Sequence, residues 1–159
     1  MKKKYDFAIV SGGFDPVHVG HLRMFLDAKK IANKVILLLN NDEWLIKKKG
    51  KPFMNQNQRK EILEEFISIS EVIIQSSSEP SSSKAIEEFV SKNRNKSICY
   101  CNGGDRSNIE NIRESKVCNK LGVNLEFGIG GKNKIESSSN LTKNYLGNIE
   151  KRPRGNYQL

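Results

Sequence analysis

Histidine is scarce in this chain, with two among 159 residues, at positions 18 and 21. Cysteine is nearly as rare. The three cysteines, Cys99, Cys101 and Cys118, contain no Cys-x-x-Cys spacing, which argues against both a disulfide framework and a zinc site. Cys99 and Cys101 fall two apart in an expected strand and face one side, as buried thiols in a cytoplasmic protein would. No apolar run approaches the ~20 residues that a membrane span needs, and Asp6 interrupts the apolar stretch that follows the N-terminal lysines, so no signal-peptide core is expected. Aromatic residues make up 8% of the chain and do not interleave with the basic runs. The stacking platforms of a single-strand nucleic-acid binder are therefore missing, and nucleic acid is an unlikely partner.

Positive charge, by contrast, is abundant. Twenty-seven lysines and arginines against eighteen acidic residues give a net charge of +9, which favours polyanionic small molecules, although a lysine-rich solvated surface accounts for part of the excess. The length suits one domain with a real core. We expect that domain over residues 1–150, followed by a basic flexible tail at 151–159. No repeat or linker divides the chain. The run Gln-Ser-Ser-Ser-Glu-Pro-Ser-Ser-Ser at 75–83 reads as a low-complexity surface loop, because it has almost nothing apolar to bury.

Both histidines sit in the most informative stretch, residues 8–21, Ala-Ile-Val-Ser-Gly-Gly-Phe-Asp-Pro-Val-His-Val-Gly-His. It reads as the end of a strand, a Gly-rich turn and a step into a helix. Two adjacent glycines let a backbone turn pass close to a ligand. A helix starting just after such a turn offers unpaired N–H groups and a positive dipole end, which suit phosphate. His18 and His21 lie three apart and share one helical face. A zinc site from His18, His21 and Asp15 is a minor alternative, since no second ligand cluster lies nearby.

The segment Gly12-Gly13-Phe14-Asp15-Pro16-Val17-His18-Val19-Gly20-His21 resembles the HxGH nucleotidylyltransferase superfamily, which includes glycerol-3-phosphate and phosphoethanolamine cytidylyltransferases, the heptose adenylyltransferase domain and pantetheine-phosphate adenylyltransferase. The resemblance covers roughly residues 5–148. It implies a transferase that joins a nucleoside triphosphate to a phosphorylated small-molecule acceptor, releases pyrophosphate, uses Mg²⁺ with the triphosphate, and is often a homodimer.

Strand and helix alternate throughout. Residues 34–40 form a continuous apolar run, as a strand covered on both faces does. Further strands are expected at 71–75, 97–102 and 123–128, with helices at 22–32, 59–67, 84–93 and 108–120, and a last helix from about 137. The alternation predicts an α/β fold, a Rossmann-like, five-stranded, mostly parallel sheet with helices on both faces and right-handed crossovers. A ligand crevice is expected at the carboxyl ends of its strands.

Nucleotidyl transfer needs positioning, and positive charge where negative charge builds. His18, His21 and Lys48 are the catalytic candidates. The nucleotide-binding candidates in the first loop are Gly12, Gly13, Phe14, Asp15 and Gly20, although Phe14 also reads as packing. Asp15 has three open roles: Mg²⁺ ligand, loop or substrate orienter, or turn former before Pro16. Lys47, Lys48, Lys49 and Lys51 crowd a stretch read as a loop. The resemblance places Lys48 on a phosphate-binding lysine and matches Arg59 to a family arginine, which makes Arg59 a further nucleotide-binding candidate, while Ile67 stands where many cytidylyltransferases carry an arginine. Gly104 and Asp105, in Asn-Gly-Gly-Asp, resemble the base-reading turn of heptose adenylyltransferases. Lys132, Ser137, Ser138 and Ser139 resemble the family's last phosphate motif, with Glu136 where a small residue is common. The lysine-rich stretch favours CTP and the Gly-Gly-Asp turn favours ATP, with CTP narrowly ahead. A nucleic-acid-binding module and a catalytically idle nucleotide sensor are the alternatives.

Overall fold

The computed structural model describes residues 2–103, 112–131 and 136–150. Five strands form one parallel sheet: β1 (Tyr5–Gly12), β2 (Ala32–Leu39), β3 (Glu71–Ile74), β4 (Ile98–Gly103) and β5 (Asn124–Ile129), in the order β3-β2-β1-β4-β5. Every pairing is parallel, with Ile9 opposite Ile36 on one side and Tyr100 on the other. The order reverses between β1 and β4, so the crevice expected of such a sheet opens above the carboxyl end of β1. That is where the Gly-Gly turn begins.

The uninterrupted run of β2 has the reason given for it. Val35, Leu37 and Leu39 point into one core with Ala8, Val10, Phe25 and Leu63, while Ile36 and Leu38 point into the other with Ile9, Ile86, Phe89 and Val117. Helices α1 (Val19–Ile31) and α3 (Gln56–Glu64) therefore cover one face, and α4 (Ser83–Lys92) and α5 (Ser115–Leu121) the other. Cys99 and Cys101 share the first core as buried thiols, with their sulfurs 3.9 Å apart. On α1, Phe25 and Ala28 are buried, but Leu22 and Leu26 remain exposed. Among the described residues no helix is long and apolar enough to cross a membrane.

The lysine-rich stretch is a helix rather than a loop, α2 (Asp42–Lys49). Its own sequence explains why. Asn41 caps it by accepting the Trp44 N–H at 2.9 Å, and Asp42 and Glu43 occupy the first turn. Lys47, Lys48 and Lys49 occupy the last turn and Gly50 ends it at φ +85°, so both sets of charges complement the helix dipole. α6 (Ser138–Glu150) closes the described chain. Residues 151–159, read as a flexible tail, and the early part of the helix expected from 108 lie outside the described residues.

Candidate active site

A cleft of about 530 Å³ lies above β1, walled by the Gly12–Gly13 turn, His18, His21, Lys48 and the start of α6. His18 is the N-cap of α1. Its Nδ1 accepts the Gly20 N–H at 3.1 Å, and the His21 Nδ1 accepts the His18 N–H at 3.2 Å. A backbone N–H can only donate, so neither Nδ1 carries the proton, and each neutral imidazole carries it on Nε2. The rings stack with centroids 3.7 Å apart and an interplanar angle of 23°. Burial, reinforced by the neighbouring His18, pushes the pKa of His21 down to about 3. At neutral pH His21 is therefore an uncharged Nε2–H donor.

This differs in one respect from the unpaired helix N–H groups expected of the site. The N–H of Gly20 goes to His18 Nδ1, and those of His21 and Leu22 go to the His18 carbonyl at 2.9 and 3.2 Å. Imidazole N–H groups thus stand at the α1 terminus where backbone donors were anticipated. Gly20 is required by the same packing. A Cβ there would lie 3.0 Å from His18 Cε1 and 3.1 Å from His18 Nδ1.

Phe14 fixes the other ring. It is buried at φ +48°, a conformation that costs a bulky residue about 1–3 kcal/mol. Its ring meets His21 edge-on at 4.8 Å and lies 5.4 Å from Phe25. Phe14 supports the His21 ring from the core side.

Asp15 lies in the turn before Pro16, and its contacts orient the loop. Its carboxylate is 1% exposed and accepts the N–H groups of Phe53 and Met54, both at 2.7 Å, together with the Lys49 ammonium at 2.8 Å. Lys49 also donates to the Asp15 carbonyl at 2.7 Å. Arg59 is likewise 1% exposed. It donates from Nη1 to the carbonyls of Gly13 (2.7 Å) and Asn40 (2.8 Å), from Nε to Met54 (3.0 Å), and from Nη2 to Asp42 (2.7 Å). One guanidinium thus ties the ends of β1 and β2 to the start of α2 and the loop before α3. Read from sequence as a nucleotide contact, Arg59 is seen to hold the loop that forms the cleft floor.

Lys48 lines the cleft with its ammonium 4.6 Å from the centre of the Trp44 ring. Lys47, by contrast, reaches Ser78 at 2.8 Å and Glu43 at 3.0 Å. Ser137, Ser138 and Ser139 all line the cleft. The Ser137 hydroxyl accepts the Asn140 N–H at 3.1 Å, which caps α6, and the Ser138 hydroxyl donates to the Pro16 carbonyl at 2.7 Å. The N-terminus of α6 is thereby latched onto the turn ahead of His18. Gly12 and Gly13 form the floor as expected. Gly104, Asp105 and Lys132 lie outside the described residues. Ile67 is 97% exposed and lines none of the cleft.

Trp44, Met24 and Gly130 reach the cleft without having been singled out, and so does Glu136, which the resemblance marked only as a departure from the motif. No spacing pattern marks them. Gly130 passes so close to α1 that a Cβ would lie 3.0 Å from Met24 Cα, at φ +89°, and its N–H donates to Asp27 at 3.0 Å. Glu136 accepts the Ser137 N–H at 2.8 Å.

The donors among the described residues do not fit a metal held by the protein. Among the described residues no group of three His, Cys, Asp or Glu side chains converges. The Asp15 carboxylate is committed to two N–H groups and an ammonium, and both imidazole Nδ1 atoms to backbone donors. The zinc alternative through His18, His21 and Asp15 is disfavoured on the same grounds.

The chain is similar to several known proteins. The chain is 32% identical over 76 residues to an FAD synthase of Thermococcus sibiricus, covering 46% of this chain and 51% of that protein. It is 33% identical over 73 residues to glycerol-3-phosphate cytidylyltransferase of Bacillus subtilis, covering 46% and 54%. The matches thus span about half the length of the curated relatives. Among solved structures, a lipopolysaccharide core biosynthesis protein from Thermoplasma volcanium superposes with a TM-score of 0.58 at 18% identity, covering 78% of this chain and 94% of that one. A bifunctional NMN adenylyltransferase/ADP ribose pyrophosphatase from Francisella tularensis gives 0.59 at 17%, covering 90% and 43%. The family model described as cytidylyltransferase-like matches residues 9–126, from within β1 through the histidine turn and into β5, and the chain belongs to that family.

Proposed function

We propose that the chain is a nucleotidylyltransferase that joins a nucleoside triphosphate, CTP in preference, to a phosphorylated small molecule. An oxygen of the acceptor phosphate forms a bond to the α-phosphorus. The bond from that phosphorus to the α,β-bridging oxygen breaks, and its electron pair leaves with pyrophosphate. Charge balances without a proton, and no covalent enzyme intermediate is needed. Mg²⁺ enters on the triphosphate as part of the substrate.

The observation that carries this reading is the paired imidazoles, each held by a backbone N–H at Nδ1 and so donating from Nε2 beside the Gly-Gly turn. Donors fixed before reaction stabilise charge that develops on α-phosphate oxygens without reorganising. Lys48 stands across the cleft as the cation for the remaining phosphates. Adenylyl transfer is the second reading, favoured by the relatives named FAD synthase. A homodimer belongs to the same proposal, and light scattering on the purified protein decides it.

Thermal unfolding with CTP, ATP, GTP or UTP, each with Mg²⁺, against a sulfate control tests the proposal. A ligand at ~100 times its Kd adds about 2.7 kcal/mol, so the preferred nucleotide raises the Tm above the other three. Pyrophosphate release with phosphorylated acceptors then confirms transfer. Four nucleotides no better than sulfate overturn the reading.

A further inference from the structure

A second chamber, of about 650 Å³, meets the first cleft along Gly12, Gly13, Trp44 and Lys48. Ser11, Asn40, Tyr100, Arg113 and Glu114 line it, together with Ser78, Glu79, Pro80 and Ser82 of the serine-rich run. That run is therefore more than a low-complexity surface loop. Side-chain hydrogen bonds hold it in place of an apolar core. Lys47 Nζ reaches Ser78 Oγ at 2.8 Å, and Glu114 Oε1 accepts from the Ser82 N–H at 2.9 Å and the Ser81 hydroxyl at 3.2 Å. Arg113 Nη1 donates to the Pro80 carbonyl at 3.4 Å. Lys47, Arg113 and Glu114, which anchor the run, themselves line the chamber. The Ser11 and Tyr100 hydroxyls, 2.6 Å apart, complete a wall of hydrogen-bonding groups.

We infer that this chamber seats the acceptor, and that the acceptor is a small polyhydroxylated phosphomonoester, a polyol or sugar phosphate. The inference rests on the nucleotidyl-transfer reading and deepens it. The attacking phosphate must reach the α-phosphorus beside His18 and His21, so it lies at the shared boundary, where Gly12 and Gly13 allow close approach and Lys48 supplies charge. The rest of the molecule then extends toward Ser11, Asn40, Tyr100, Ser78 and Glu114. A carboxylate, an amide and several hydroxyls pair with alcohol groups, each alcohol both donating and accepting. Among the described residues a flat aromatic acceptor has little to stack on. The indole of Trp44 already carries the Lys48 ammonium, and Tyr100 is 2% exposed. Away from the shared boundary, Glu79 and Glu114 offset Lys47 and Arg113, which are themselves engaged by Glu43 and Ser78 and by the Pro80 carbonyl, so these residues offer no net positive charge to a second phosphate and the acceptor carries one.

Pyrophosphate release is measured with the stabilising nucleotide and a panel of acceptors: glycerol 3-phosphate, ribose 5-phosphate, a heptose phosphate, fructose 1,6-bisphosphate and FMN. A polyol or sugar monophosphate is expected to exceed both FMN and the bisphosphate by at least tenfold in kcat/KM. Tyr100→Phe keeps the buried ring, and Ser78→Ala gives up the Lys47 anchor while those at Pro80, Ser81 and Ser82 remain; each is expected to raise the acceptor KM about tenfold through loss of one hydrogen bond, with nucleotide KM unchanged. Preference for FMN or the bisphosphate, or an equal rise in both KM values, overturns the acceptor class while transfer stands. No release with any acceptor and no nucleotide-specific rise in Tm overturn the transferase reading, and this inference with it.

Discussion

The imidazole of His18 stacks on that of His21 at 3.7 Å, and each ring accepts a backbone N–H of the same helical turn through Nδ1. One turn of helix thereby fixes the tautomer and the direction of two donors at once. Removing either is expected to lower turnover about 10²–10³-fold. His18→Ala and His21→Ala proteins should unfold cooperatively and still show nucleotide-dependent Tm shifts, while pyrophosphate release collapses. Undiminished release would remove the pair from the reaction.

Gly20→Ala separates packing from propensity. Alanine is the better helix former by about 1 kcal/mol, so stability alone predicts an unchanged or higher Tm. The added Cβ lies 3.0 Å from the His18 ring and must displace it. Turnover is expected to fall at least about tenfold at undiminished Tm. Full activity would show that the orientation of His18 is not fixed by this contact.

His21 ties stability to pH. Its folded pKa of about 3 lies below the ordinary value of 6.5, so the unfolded chain binds the extra proton between those two limits. The contribution is complete above pH 6.5 and is lost as pH falls toward 3, with a slope of up to about 1.4 kcal/mol per pH unit. Denaturant midpoints measured from pH 7.5 to 4.5 should fall more steeply for the native protein than for His21→Gln. Parallel curves would refute the neutral, buried assignment.

Arg59 tests positioning against ligand contact. Four of its protein partners, the carbonyls of Gly13, Asn40 and Met54 and the Asp42 carboxylate, lose their donor in Arg59→Ala. The expected loss is about 3–5 kcal/mol of stability. Arg59→Lys keeps the charge without the planar fork and should recover only part of it. A substitution that weakens nucleotide binding at unchanged stability would return Arg59 to the ligand.

Neighbouring lysines should divide in effect. Lys49→Ala strips an ammonium from the buried Asp15 carboxylate, a charged hydrogen bond that contributes about 1.5–3 kcal/mol of stability. Lys48→Ala leaves that pair intact and should instead weaken triphosphate affinity, measured by calorimetric titration. Equal Tm losses in the two variants would contradict the division.

The order of strands and helices was readable because continuous apolarity in β2 has one structural meaning, burial on both faces. The histidine turn was readable for a similar reason, since its partners all lie within a few residues. The lysine stretch shows the opposite failure. Crowded like charges suggested a solvated loop, yet an Asn cap, two acids in the first turn and a closing glycine were local signals for α2. The serine-rich run is a loop as expected, but its contacts were not readable, for a different reason. Its partners Lys47, Arg113 and Glu114 stand about thirty residues away on either side.

The amino-acid sequence by itself determined the parallel α/β architecture and the paired donors of the first helical turn, because periodicity and capping act over three or four residues. Only the tertiary structure decided that Asp15 and Arg59 hold the floor of the cleft. It alone also showed that a serine-rich run walls a second chamber. Those roles depend on which buried polar group meets which distant partner, and burial without a partner is too costly for such a pairing to be left open once the sheet has closed.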